Sequence, residues 1–227
     1  CYNEPFMDEF VEYYLSEGVD KIYILYDTKS TLPISQSVRD NSKVFVVQSS
    51  TNFAKGPDYG KDFHNLYNQI RYLSTWFIYV DCDEYINTRR NTNKTIRDEL
   101  LTTFKFADCI TIPWVMMSCN QRENDPKSVL QELTTRWDHN NPHPHPNNWY
   151  KGRCRYNGIE AKCIFKGKVF DKITDHYPKS STNNRLIRRV DGIQNKPIKL
   201  LGYYKNLREH HIKNAFLIVM VTSNQIG

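Results

Sequence analysis

The chain has 227 residues, of which 39% are hydrophobic, 13% aromatic and 25% charged, and this composition excludes a disordered or fibrous protein. The net charge of +6 is modest, and basic and acidic residues are interspersed, so nucleic-acid binding is not expected. A weak positive field would suit an anionic substrate such as a nucleotide diphosphate, or an acidic membrane surface.

Helical and strand-like patterns alternate through the first half of the chain. They predict a helix over 6–16, strands over 21–26 and 43–48, a helix over 63–73, a strand over 76–80, a helix over 96–104 and a strand over 110–117. Such alternation predicts an α/β fold with a mostly parallel central sheet flanked by helices. Asp27 and Asp81 each follow a strand, so we expect them to converge on one edge of that sheet.

The second half is less regular. Residues 137–150 are rich in Pro and Asn and predict a loop, whereas 162–170 predict short strands and 203–216 a helix. The apolar run 215–221 falls short of the ~20 residues of a spanning helix, so it predicts a terminal strand or a buried helix end and no transmembrane segment.

The six cysteines lack the spacings of a zinc site, and several lie in apolar runs. We therefore expect free thiols and a cytoplasmic location, in a cell or in a virus-infected host. The chain starts at Cys1 without a visible leader, which suggests a domain of a larger protein.

An Asp-x-Asp pair follows the predicted strand 76–80. A turn at a strand end allows Asp81 and Asp83 to approach one hard divalent cation, and oxygen ligands favour Mg²⁺ or Mn²⁺. The cation would act as a Lewis acid on a leaving diphosphate. The alternative is a solvated turn that caps an edge strand. The cost of burying three carboxylates, Glu84 included, opposes that alternative unless a cation or strong hydrogen bonds compensate it.

Several short motifs occur in a particular order along the first 86 residues. They are the opening Asn3-Glu4, the step Gly18-Val19 after the first helix, Asp27 with Ser30 nearby, and the run Asp81-Cys82-Asp83-Glu84-Tyr85-Ile86. Together they resemble the family-2-like and family-92-like glycosyltransferases of the GT-A fold. The match covers residues 3–86 and is loose afterwards. Similar domains occur in large DNA viruses, and the Asn-, Lys- and Ile-rich composition would suit a viral source.

The resemblance implies a GT-A (nucleotide-diphospho-sugar transferase) fold in a single domain over 1–227. Residues 1–118 would form the nucleotide-sugar-binding half and 119–227 the acceptor-binding half. It also implies a metal-dependent transfer from a nucleotide diphosphate donor, a UDP-sugar being favoured, to a glycan, glycoprotein or other glycoconjugate.

The resemblance also assigns roles to residues. Asn3 and Glu4 would line the nucleotide pocket, and Asp27 would contact the base or ribose with Ser30 nearby. Asp83 would be the principal metal ligand, and Asp81 would lie near the ribose and the metal. Glu84 would orient the site. Glu4 and Asp27 have an alternative as helix or turn caps.

The second half contributes four further candidates by resemblance and chemistry. His176 would be a late metal ligand and Lys162 would bind diphosphate, with a surface histidine and a solvated strand lysine as the alternatives. An inverting transfer needs a carboxylate base, and Glu123 and Asp125 mark the region where we expect it. Inversion and retention both stay open.

Two other functions remain as alternatives. A nucleotidyltransferase-like enzyme also uses paired aspartates, although no Gly-rich phosphate loop occurs near Asn3. A catalytically silent carbohydrate-binding module would retain the fold without needing metal.

Overall fold

The computed structural model describes most of the chain up to residue 136 and several segments beyond it. The described residues are 4–49, 61–88, 93–117, 122, 124–136, 161–174, 177–181, 187–189, 199–202 and 217–221. The predicted loop over 137–150 and the predicted helix over 203–216 lie outside these residues.

The described residues contain five helices and eleven strands. The helices are α1 (Met7–Ser16), α2 (Gln36–Asp40), α3 (Lys61–Ile70), α4 (Ile96–Leu101) and α5 (Val129–Glu132). The strands are β1 (Lys21–Asp27), β2 (Val44–Ser49), β3 (Trp76–Val80), β4 (Glu84–Asn87), β5 (Cys109–Met116), β6 (Ala161–Lys166), β7 (Lys172–Ile173), β8 (Pro178–Lys179), β9 (Ile187–Arg189), β10 (Lys199–Gly202) and β11 (Leu217–Val221). The predicted elements of the first half are confirmed to within a few residues, and the apolar run 215–221 contains a strand.

One sheet contains nine of the described strands, in the order β2-β1-β11-β3-β6-β5-β10-β4, with β9 also paired to β5. Five of its pairs are antiparallel and three are parallel, so the prediction of a mostly parallel sheet is wrong and the sheet is mixed. The physical reason is that β6 and β11, which follow the βα repeats in the chain, insert antiparallel to β3 on its two sides. Antiparallel pairs of this kind need no crossover helix.

The strands β1 and β3 nevertheless run in the same direction. Both pair antiparallel with β11, and Leu217 lies opposite Ile24 on one side and Val80 on the other. The C-terminal ends of β1 and β3 therefore lie at the same edge of the sheet, as predicted for Asp27 and Asp81.

Helices cover both faces of the sheet. On one face, Phe10 and Tyr14 of α1 pack with Ile96 and Leu100 of α4 in the larger hydrophobic cluster. On the other face, α3 contributes Phe63, Leu66, Tyr67 and Ile70 to a second cluster. The β3 strand is buried at every position because it lies between these two layers, which explains its uninterrupted apolar sequence.

A glycine ends α1 in a conformation that other residues avoid. Gly18 has φ +85°, and a Cβ placed on it would lie 2.7 Å from Arg97 Cβ. The Gly18 carbonyl accepts a hydrogen bond from Arg97 Nε at 2.8 Å, which holds the neighbouring backbone in place. Both the backbone strain and the steric conflict therefore act against any side chain here.

Gly18→Ala is expected to lower the free energy of unfolding by about 1–3 kcal/mol. Urea denaturation measures this loss. Ser16→Ala is the control, because the exposed Ser16 hydroxyl only donates to the Tyr13 carbonyl, and it should stay within about 0.5 kcal/mol of the parent. Equal stability of the two variants would contradict the strain argument.

Within the described residues, no helix has both the length and the apolar character needed to cross a bilayer. Cys82, Cys109 and Cys163 are buried free thiols, as expected for the described cysteines.

Candidate active site

The chain turns sharply where β3 ends and β4 begins. The Glu84 N–H donates to the Asp81 carbonyl at 3.0 Å, which closes a turn over residues 81–84. Cys82 is 1% exposed and belongs to the hydrophobic core, whereas Asp81 and Asp83 on either side keep partial contact with solvent. The alternative of a solvated turn on an edge strand is wrong, because β3 lies inside the sheet and is buried throughout.

Lys162 provides the positive charge at this turn. Its ammonium lies 3.0 Å from Asp81 Oδ2 and 3.3 Å from Glu84 Oε2, and the side chain is only 1% exposed. Glu84 Oε2 also accepts the Asp81 N–H at 2.8 Å, so the three residues form a closed network. The alternative of a solvated strand lysine is therefore wrong.

The pairing of β6 with β3 explains how Lys162 reaches this position. Ile164 lies opposite Ile78, and because the pair is antiparallel, β6 reaches Lys162 as it approaches the C-terminal end of β3, just before Asp81. The ammonium also lies 5.2 Å from the ring centroid of Tyr79. A lysine inside an apolar strand is a sequence signal for such a partner, because a buried charge without one is costly.

Electrostatics raise the pKa values of two carboxyls at the turn. Burial raises the pKa of Asp83 well above its usual range, and the charges of Asp81 and Glu4 raise it further. Burial also raises the pKa of Glu84, although the Lys162 ammonium opposes this rise. Desolvation acts to lower the pKa of Lys162, but the carboxylates of Glu84 and Asp81 more than offset it, so the pKa is raised and the ammonium stays charged. One ammonium thus faces three acidic side chains at the turn, and the ionised form of Asp83 is costly.

Two observations bear on whether this turn fits a divalent cation. Asp81 Oδ1 is buried without a hydrogen-bond partner, and the Asp83 carboxylate is crowded by like charge. Both features suit oxygen ligands for a hard cation. No group of three or more histidine, cysteine or carboxylate side chains among the described residues is arranged to hold a metal ion. Within the described part of the chain, Asp81 and Asp83 thus fit such a cation only as a partial ligand set.

Two tyrosines of α1 hold the strand that follows the turn. Tyr14 Oη donates to the Glu84 carbonyl at 2.8 Å and accepts the Ile86 N–H at 3.2 Å, while Tyr13 Oη donates to the Ile86 carbonyl at 2.5 Å. Burial raises the pKa of both phenols, which therefore stay neutral donors. Sequence reasoning missed this role, because hydrogen bonds between residues about 70 positions apart leave no local pattern.

The predicted donor-binding residues of the first half adopt local capping contacts. Asp27 is 2% exposed, and its Oδ1 accepts the Lys29 N–H at 2.9 Å. Ser30 Oγ donates to the Leu32 carbonyl at 3.1 Å. Glu4 Oε1 accepts the Phe6 N–H at 3.1 Å while its charge reaches Asp83. In the structure, Glu4 and Asp27 therefore make the capping contacts of the alternative interpretation. Their contact with a donor stays a prediction.

The remaining candidates are located only in part. Asn3, Glu123 and His176 lie outside the described residues, so their roles as nucleotide contact, base and metal ligand stay predictions. Asp125 is exposed shortly before α5, which is attached to α1 by hydrogen bonds from Ser128 and Val129 to Glu9. Its role as a base also stays a prediction.

Comparison with known proteins gives one result that covers most of the chain. The model of the family described as "Glycosyltransferase family 92" matches residues 63–220, which include β3, the 81–84 turn and Lys162. No individual curated protein matches the chain significantly. The match extends far beyond residue 86, where the motifs of the sequence resemblance become loose.

Proposed function

Because this chain belongs to glycosyltransferase family 92, we propose that it transfers a sugar from a nucleotide diphosphate donor, preferably a UDP-sugar, to a glycan or glycoconjugate with the help of Mn²⁺ or Mg²⁺. The observation that carries the metal and donor part of the proposal is the buried Oδ1 of Asp81, which has no hydrogen-bond partner. Burial and the charges of Asp81 and Glu4 raise the pKa of Asp83 two residues further on, and a divalent cation would favour its ionised form.

In this proposal the residues of the turn have separate tasks. Asp83 and the unpartnered Oδ1 of Asp81 would hold the cation, and His176 would add a ligand. The cation would supply Lewis-acid stabilisation of the diphosphate leaving group. Lys162 and Glu84 hold the other oxygen of Asp81 and its backbone N–H, so the ligand oxygens are fixed before the donor binds.

The acceptor side of the reaction needs a proton acceptor in an inverting transfer. Asp125 and Glu123 are the proposed candidates, since a base must come within hydrogen-bond reach of the acceptor hydroxyl. The α5 segment that follows Asp125 is attached to the first half of α1, and the charge of Glu9 there acts on Tyr85 beside the turn. The proximity of α5 to the turn supports a catalytic base in the segment that precedes α5.

The proposal is tested by thermal unfolding with UDP or GDP, each with and without Mn²⁺. The parent is expected to gain about 2.7 kcal/mol, or roughly 5–10 °C, when nucleotide is present at about a hundredfold excess over its Kd, and only with the cation. Asp83→Asn should lose this gain. Asp108→Asn is the matched control, because Asp108 pairs with Lys166 at the other end of β6.

Product analysis with UDP-sugars then separates the alternatives. A glycosyltransferase releases a nucleoside diphosphate from the donor, whereas a nucleotidyltransferase consumes a nucleoside triphosphate and releases pyrophosphate. A folded parent that shows neither the cation-dependent shift nor donor turnover would contradict the metal-dependent mechanism and favour the silent binding module.

A further inference from the structure

Among the residues that the structure describes, the most exposed large hydrophobic side chains lie at the end of the sheet opposite the 81–84 turn. Tyr72 is 64% exposed, Leu73 59% and Phe106 76%. Tyr72 and Leu73 precede β3, and Phe106 precedes β5. Because β3 is five residues long, this end lies about 17 Å from Asp81 along the strand.

The turn after β6 joins the two loops that carry these side chains. Its Gly167 N–H donates to the Thr75 carbonyl at 3.2 Å, and the Lys166 N–H donates to the Asp108 carbonyl at 2.8 Å. A Cβ on Gly167 would lie 2.3 Å from the Arg71 carbonyl oxygen, so the turn packs directly on the first loop. The two loops and the turn thus form one continuous surface.

Basic groups accompany the exposed rings on this surface. The Arg71 guanidinium lies 4.7 Å from the ring centroid of Tyr72, and the Lys105 ammonium lies 4.7 Å from that of Phe106. Lys168 is exposed in the turn. We call Arg71, Tyr72, Leu73, Lys105, Phe106 and Lys168 the basal patch.

The acidic groups described at this end do not cancel the positive charge. Asp108 pairs with Lys166 at 3.6 Å, and Asp171 bonds to Ser181 and lies within electrostatic reach of Arg71. Lys105 and Lys168 therefore remain as excess positive charge beside the exposed aromatic and aliphatic side chains.

We propose that the basal patch docks on an anionic membrane surface. Exposed rings would enter the headgroup region, and the lysine side chains would reach anionic lipid headgroups, which is the usual chemistry of interfacial binding. A protein partner fits less well, because lysine is depleted at protein–protein interfaces. The proposal is independent of the sugar transfer, and docking would leave the 81–84 turn at the far end of the sheet open to substrates.

Sedimentation with vesicles tests the proposal on the whole chain. We expect binding to vesicles of phosphatidylcholine mixed with phosphatidylserine, little binding to phosphatidylcholine alone, and release at high salt. The double variant Lys105→Gln/Lys168→Gln should reduce the partition coefficient at least ~10-fold. Phe106→Ala should reduce it about fivefold through lost apolar insertion.

Matched controls come from α5 and the segment before it, near the first half of α1. Lys127→Gln removes an exposed lysine, and Leu130→Ala shortens a side chain that is 37% exposed. Both should bind the mixed vesicles like the parent. Unchanged thermal unfolding of all variants verifies the fold. Equal binding to both vesicle types, no binding to either, or equal losses in patch and control variants would each overturn the proposal.

Discussion

Lys162→Met is expected to lower the free energy of unfolding by about 3–5 kcal/mol in metal-free buffer. The substitution keeps the size and the apolar stem of the side chain but leaves Asp81 and Glu84 without their counter-ion. Both carboxylates lie within 3.3 Å of the ammonium, which is 1% exposed, so solvent compensates little of the loss. Urea denaturation at neutral pH measures the effect.

Mn²⁺ should reduce the loss in free energy of unfolding that Lys162→Met causes, because a cation at the turn replaces part of the missing positive charge. The gain in free energy of unfolding on adding Mn²⁺ is therefore expected to be larger for Lys162→Met than for the parent. Adding Glu84→Gln to Lys162→Met should also restore part of the stability, since it removes one of the carboxylates left unpaired.

Lys166→Met is the control on the same strand. Lys166 pairs with Asp108 at 3.6 Å, and both side chains are more than a fifth exposed. Such a pair contributes about 0–1 kcal/mol. If Lys162→Met proved no less stable than Lys166→Met, the closed network with Asp81 and Glu84 would not hold the turn.

Asp83→Asn is expected to stabilise the metal-free protein at neutral pH while abolishing its response to Mn²⁺. Burial and the charges of Asp81 and Glu4 raise the pKa of Asp83, so the ionised carboxylate is unfavourable in the folded chain. The amide removes that charge at nearly constant volume. We expect a gain of ~1 kcal/mol or more, which corresponds to about 2–4 °C in Tm.

The pH dependence of this effect has a definite sign. The raised pKa means that the folded chain binds the Asp83 proton more tightly than the unfolded chain, whose carboxyl titrates near 3.8. Stability from this group is present below pH 3.8 and is lost as pH rises through the raised value. The gain in free energy of unfolding from Asp83→Asn should therefore vanish in acid and become constant at pH values above the raised pKa of Asp83.

Thermal unfolding of the parent and of Asp83→Asn across a pH series, with and without Mn²⁺, compares the stabilities of the two proteins. Mn²⁺ should stabilise only the parent and reverse the order of stability at neutral pH. An Asp83→Asn variant that is less stable than the parent at neutral pH without metal would mean that the Asp83 carboxylate is stabilised by contacts rather than crowded.

The first half of the fold follows from local patterns in the sequence. Helical spacing of Phe10 and Tyr14 predicts α1, and the five apolar residues of β3 predict a buried strand, because each pattern depends only on neighbouring residues. The Asp-x-Asp turn is visible for the same reason. The order of these motifs was also sufficient to indicate the glycosyltransferase family, which the family match confirms.

The mixed sheet could not be predicted in this way. Whether β6 and β11 pair next to β3, and in which direction, depends on contacts between residues about 80 to 140 positions apart. The strand propensity of a segment does not depend on whether its neighbour is parallel or antiparallel. The alternation of helices and strands was therefore the only guide, and it suggested parallel pairing throughout. The role of Asp27 could not be predicted either, because the local sequence around an acidic residue at a strand end is the same whether the residue caps a turn or faces a ligand.

The sequence by itself determined the buried strand β3, the carboxylates that follow it and the family to which they point, because these features are encoded within short stretches of chain. Only the tertiary structure decided that the Lys162 ammonium lies beside both Asp81 and Glu84, and that burial and the nearby carboxylates raise the pKa of Asp83. The reason is physical: the charge balance of a buried site depends on distances of a few ångströms between distant residues, and strand register sets those distances.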